Sequence, residues 1–258
     1  MTETKREDQL KVMGLFEHID ELRGRIIKSM LAIVVLFVLG YAYAKEILIF
    51  LEGPLISVLP EHAQALHFTG PMDVFTANIK LGLFVGLMLS CPVWLYQFWK
   101  FIEPALYTNE KRYAMPFMVA SVTLFAIGVS FCFYVIVPTS LKYLIGLGTE
   151  MGTTPIITIS DYLSLLMLMM LGFGLVFETP VILVLLALLG LVTAQTLSEN
   201  RKYVIVVIFI ISAVLTPTPD PITMFAMALP TCGMYEMSIL FIRFIQRKKN
   251  TSGASHVD

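Results

Sequence analysis

Six long apolar runs, residues 26–44, 74–99, 114–137, 162–192, 203–216 and 222–242, constrain this chain more than any other feature. Inside a bilayer each backbone N–H and C=O must find its partner within the segment itself. An apolar run of about 20 residues therefore becomes a helix crossing the ~30 Å hydrocarbon core. The first run has 19 residues and reaches about 28 Å as a helix. With 57% hydrophobic and 14% charged residues and a mean hydropathy of +0.80, the composition is far from that of a soluble domain. The expected fold is an all-α integral membrane protein of six transmembrane helices.

Charge orients the bundle. Fifteen of the eighteen lysines and arginines fall in the N-terminal flank, the second and fourth connections and the C-terminal flank; Lys45 and Lys142 lie opposite and Lys80 lies inside a run. The positive-inside rule then predicts cytoplasmic termini and an even number of spans. The basic flank, the first apolar run and "AYA" at 42–44 have the outline of a secretory signal. The flank, however, carries six acids and the run is long enough to remain as a span. The chain divides into an amphipathic cytoplasmic segment at 1–25, a six-helix transmembrane domain at 26–242 and a basic, polar cytoplasmic tail at 243–258.

Two lengths are unusual. The fourth run, 31 residues, would measure about 46 Å, so it must tilt, protrude or kink, and Pro180 supplies a kink point. The fifth, 14 residues, would reach about 21 Å; either the bilayer thins there or the last pair is a re-entrant hairpin. The outer connections at 45–73 and 138–161 are Pro- and Gly-punctuated and predict loops with short interfacial pieces. The stretch "TPTPDP" at 216–221 predicts a tight turn.

Enzyme chemistry finds little footing. All four histidines lie outside the runs, no serine has a histidine base within a span, and no glycine loop cradles phosphate. Cys91, Cys132 and Cys232 sit in apolar runs without ligand spacing and read as small buried hydrophobes. No cofactor, metal or nucleic-acid partner is expected. Glu178, near the midpoint of the fourth run, is costly there, at least about 2.5 kcal/mol for a charge. It reads as a protonated acid bonded to a neighbouring helix or as a functional polar contact. As a proton or substrate site it would make the chain a small-solute secondary transporter, although the internal repeats common in such proteins are not evident.

The stretch "LFEHIDELRGRII" at 15–27 mixes acids with bases just ahead of the first run. At 100° per residue, Leu15, Ile19, Leu22 and Ile26 form an apolar stripe. Glu17, Glu21, Arg25 and Lys28 oppose it, flanked by Asp20 and Arg23. A solvated face with a Glu21–Arg25 pair worth a few tenths of a kcal/mol is the plain reading. Against it, Glu17 and Glu21 are like charges four apart, and carboxylates gain nothing from anionic headgroups. The second connection, "YQFWKFIEPALYTNEKRY", adds Glu110 beside Lys111 and Arg112.

"HIDELRGR" and "FIEPALYTNEKR", with "FETPV" at 177–181, "LTPTPDP" at 215–221, and "ALP" and "YEMSI" in the last run, make the chain resemble the TatC family, the receptor of the twin-arginine protein translocase. The resemblance spans residues 15–247. It implies six spans with cytoplasmic termini in a bacterial inner membrane, and self-association within a complex. It also implies binding of Arg-Arg signal peptides on folded proteins, and export of those proteins with single-span TatA- and TatB-type partners at the expense of the proton-motive force. By motif, Glu21 and Glu110 match carboxylates that bind the signal's guanidinium groups. Arginine is preferred over lysine there because its planar fork pairs bidentately with carboxylate. Arg23 and Phe101 match positions flanking that patch, Pro54 a sensitive proline in the first outer loop, and Glu178 a contact for partner helices or translocation intermediates.

Three further positions stand out. Asp220 matches a family acid in the outer turn and also suits a turn or helix cap. Lys80, about two turns into the second run, is expected to snorkel to the outer surface. Glu236 is expected near the cytoplasmic interface beside Arg243.

Overall fold

The computed structural model describes residues 15–59, 66–102, 114–152, 156–216 and 220–254, with side chains described from Glu17 through Gln246 within those segments except at Ala114. Among them the chain is helical, apart from one parallel bridge between His67 and Thr158 that ties two connections together.

The first helix, α1 (Leu15–Ala42), carries the amphipathic entrance and the first apolar run as one rod. Two short helices follow, α2 (Ala44–Leu51) and α3 (Gly53–Ile56), the latter opened by Pro54, whose fixed φ suits a first helical turn. The second run is not one helix. It divides into α4 (Pro71–Leu89) and α5 (Cys91–Ile102), because Pro92 has no N–H to continue the ladder, and Ser90 closes α4 instead.

The third run behaves in the opposite way. Pro138 was expected to begin a loop, yet α6 (Ala114–Phe131) continues through a π-helical turn (Cys132–Ile136) into α7 (Val137–Glu150). The wider turn makes room for the proline ring, and Thr139 Oγ1 donates to the Val135 carbonyl at 2.6 Å. The fourth run breaks where its proline predicts: α8 (Ile159–Phe177) and α9 (Thr179–Leu188) meet at Glu178. The Val176 carbonyl, which the Pro180 nitrogen cannot serve, accepts from Thr179 Oγ1 at 2.6 Å. A short α10 (Ala194–Glu199) leads to α11 (Arg201–Leu215) and the long α12 (Pro221–Ala254).

Five helical segments among the described residues are long and apolar enough to cross a membrane: Glu17–Ala42, Pro71–Leu89, Met115–Glu150, Ile159–Leu188 and Pro221–Gln246. The fifth run, as α11, has 15 residues and remains short of that length.

Packing follows the glycines. Helix α1 lies against α4, and Gly82 and Gly86, four apart on α4, face it. A Cβ at Gly86 would stand 2.7 Å from the Ile33 carbonyl oxygen and 2.9 Å from the Phe37 nitrogen. Helices α6 and α8 approach just as closely at Gly128 and Gly174, so α8 sits between α4 and α6. The main core joins α2, α3, α4, the π-turn, α7 and α8 around Leu81, Val137, Leu163, Leu166 and Phe173. A second core joins α9 to α12, where the Tyr235 hydroxyl donates to the Leu197 carbonyl at 2.7 Å.

Candidate functional site

The N-terminal turns of α1 and the last turns of α5 meet at one end of the bundle. His18 stacks on Phe101 with ring centroids 4.3 Å apart, which joins one sequence-predicted position to the entrance helix. One turn on, Glu21 holds Arg25: the guanidinium Nε donates to Oε1 at 3.0 Å, and Nη2 donates to the same oxygen in a shorter bond. Nη1 of Arg25 reaches across to Gln97 Oε1 at 3.4 Å. The two side chains are 14% and 19% exposed, so the pair is sheltered and not a solvated surface bridge. Glu21 Oε2 is buried without a hydrogen-bond partner among the described residues, with His18 Nδ1 at 3.9 Å.

Beside this pair is a polar cleft of about 390 Å³ lined by Glu21, Gly24, Arg25, Lys28, Tyr96, Gln97 and Lys100. Lys100 Nζ takes Tyr96 as its hydroxyl partner at 3.3 Å. An apolar groove of about 290 Å³ continues from it, sharing Arg25 and Gln97 and lined further by Ile26, Met30, Trp94 and Phe98. Arg23 is exposed and lines neither space. Glu110 lies outside the described residues. Sequence reasoning named Glu21 and Phe101 but passed over Gln97 and His18. The face was visible, since Trp94, Gln97 and Phe101 fall three and four apart on one side of α5.

Glu178, 5% exposed, occupies the break between α8 and α9. The Ser121 hydroxyl on α6 accepts from Trp99 Nε1 at 2.9 Å, with the Glu178 carboxyl close by. Glu178 Oε1 is buried without a partner among the described residues. The Trp99–Ser121 hydrogen bond thus joins α5 to α6 beside the α8–α9 break, next to the apolar cluster of Trp99, Val181 and Leu185.

The other singled-out residues are resolved individually. Pro54 is buried at the start of α3, which packs on α7. Asp220 caps α12, its Oδ1 accepting from the Thr223 backbone at 2.7 Å. The Lys80 ammonium reaches toward the N-terminal turns of α8, where it donates to Ser160 Oγ and Ser164 Oγ, each at 2.8 Å. Glu236 pairs with Arg201 at 2.9 Å, while Arg243 turns to Ser198. No group of three or more metal-ligating side chains gathers among the described residues.

The family model described as Sec-independent protein translocase protein (TatC) matches residues 17–230. The Sec-independent protein translocase protein TatC of Campylobacter jejuni subsp. jejuni is 39% identical over 226 residues, 88% of this chain and 92% of that protein. Its counterpart from Aquifex aeolicus is 38% identical over 238 residues, 92% of this chain and 98% of that protein. A crystal structure of the twin-arginine translocase receptor TatC aligns with a TM-score of 0.77 at 36% identity, covering 88% of this chain and 99% of that one.

Proposed function

This chain belongs to the TatC family of Sec-independent protein translocase proteins, and on that premise we propose that it is the twin-arginine receptor subunit whose cleft between α1 and α5 reads the Arg-Arg pair of signal peptides. The solute-transporter alternative built on Glu178 gives way to the family assignment. The protein is a multi-pass membrane component of a transport machine, not a catalyst. In this reading it lies in a bacterial inner membrane with both termini cytoplasmic, α11 completing six spans. TatA- and TatB-type single-span proteins are its partners, and the proton-motive force drives export through the assembly.

The observation that carries the recognition role is the seating of a guanidinium on Glu21. A fork of N–H donors bonds one carboxylate oxygen and extends to Gln97, in a sheltered place where such pairing counts for more than at an open surface. Glu21 and Glu110 are assigned as the reading carboxylates, Phe101 as the wall that holds the entrance helix in place, and Arg23 as an exposed flank. Glu178, Pro54 and Asp220 are assigned to partner or translocation contacts.

The test is binding of an Arg-Arg signal peptide and its Lys-Lys counterpart to the purified chain and to Glu21→Gln with Glu110→Gln. Arg-Arg is expected to bind more tightly to the wild type and to lose that preference in the double variant. Equal binding of both peptides to both proteins would remove the recognition assignment.

A further inference from the structure

We propose that Arg25 is an intramolecular competitor, a guanidinium of the receptor's own that occupies the Glu21 site and sets the affinity threshold a signal peptide must exceed. The inference rests on the recognition role given to Glu21. Three of the five Arg25 donors are engaged in the cleft, two on Glu21 Oε1 and one on Gln97 Oε1. Among the described lining residues these are the carboxylate and carboxamide acceptors; Arg25 takes Glu21 Oε1 and Gln97 Oε1, while Glu21 Oε2 has no hydrogen-bond partner among the described residues. Lys28 and Lys100 line the same cleft and provide no acceptor for it. A peptide guanidinium that pairs bidentately with Glu21 needs both oxygens, and so must displace Arg25 from Oε1.

Exchange has a definite thermodynamic form. The apparent dissociation constant equals the intrinsic one divided by the fraction of molecules with Arg25 unseated. That factor is common to every ligand competing for the site. Arg25 leaves the ratio of Arg-Arg to Lys-Lys affinity unchanged while shifting both to weaker binding. A weak ligand then falls below the working concentration range and a strong one does not. An ordinary structural ion pair would act differently: removing it would loosen α1 against α5 and weaken binding.

Arg25→Lys keeps the charge and the position but replaces the fork by a single ammonium, a poorer occupant. It is expected to tighten the Arg-Arg peptide roughly five-fold, and the Lys-Lys peptide by the same factor. Arg25→Gln tightens both further. Lys28→Gln removes a neighbouring charge without unseating Arg25, and its gain is expected to be smaller than that of Arg25→Lys. Wild-type or weaker affinity in Arg25→Lys, or an equal gain in Lys28→Gln, would overturn the competitor role. Glu21→Gln, alone and combined with Arg25→Lys, separates the two claims. If Glu21→Gln changes nothing in either background, the recognition role itself fails. If it weakens binding while Arg25→Lys gives no gain, recognition stands and only the competitor is refuted.

Discussion

Replacing Gly86 by alanine probes the closest backbone contact between α1 and α4. The added Cβ would lie 2.7 Å from the Ile33 oxygen, 2.9 Å from the Phe37 nitrogen and 3.1 Å from the Phe37 Cα. All three are backbone atoms of α1, so no rotamer change relieves them. Restoring ordinary contact requires the helices to separate by about 0.7 Å along the seam, and overpacking of this kind costs about 1–3 kcal/mol. Thermal unfolding in detergent, followed by tryptophan fluorescence, is expected to show a melting temperature lower by roughly 3–8 °C. Gly233→Ala is the control, because nothing lies within 4 Å of its would-be Cβ. There the same substitution should be neutral or stabilising by about 0.4–1 kcal/mol through the lost freedom of the unfolded chain. Equal melting behaviour of the two variants would refute the claim that α1 is held by glycine-mediated backbone contact.

Three further outcomes follow from polar groups placed among apolar ones. Ser160→Ala with Ser164→Ala strips Lys80 of both hydroxyl partners and is expected to cost about 2 kcal/mol or more in the same melt. Adding Lys80→Met should recover most of that, and no recovery would mean the hydroxyls matter for another reason. Ser121→Ala leaves the buried Trp99 Nε1 without its partner, with an expected loss of about 1–3 kcal/mol. An unchanged melt would show that the polar contact contributes nothing. Glu52, between α2 and α3, has its carboxyl raised above the ordinary value of 4.5 by burial. The folded chain then keeps the proton to higher pH than the unfolded chain does. This contribution to stability is full below about 4.5 and is lost as pH rises through the folded value. Stability in Glu52→Gln should vary less between pH 4.5 and 7; the same slope as wild type would contradict the assignment.

What could be read in the sequence was whatever depends on one segment alone. The apolar runs became helices, Pro180 broke the fourth, and Asp220 capped the last helix as a turn aspartate does. The Glu21–Arg25 pair was visible as an i,i+4 spacing, but its shelter was not, because Gln97 and Phe101 come from a helix some seventy residues on. Lys80 illustrates the same limit. Snorkelling is the rule for a lone lysine in an apolar helix, but the two hydroxyls that receive this ammonium come from a distant helix. Pro138 failed differently, since one extra residue in the preceding turn is enough to absorb a proline, and no local signal announces it. The Gly82–Gly86 spacing was readable and is the seam on which α1 rests.

That seam gives the entrance helix the mechanics of a lever. Only 6% of the residues in the apolar window of α1 are fully buried within the chain, so the helix lies on the outside of the bundle. Its tightest hold is near Ile33 and Phe37. Glu21 lies twelve residues from Ile33, an arm of about 18 Å. Rocking α1 by about 5° at the seam carries the Glu21 end roughly 1.6 Å sideways, a shift comparable to the reach of the Arg25–Gln97 hydrogen bond that ties it to α5. Helix tilt answers to bilayer thickness. A tilt of α1 is therefore felt most at the end that carries Glu21 and Arg25, far from the glycines that hold the helix.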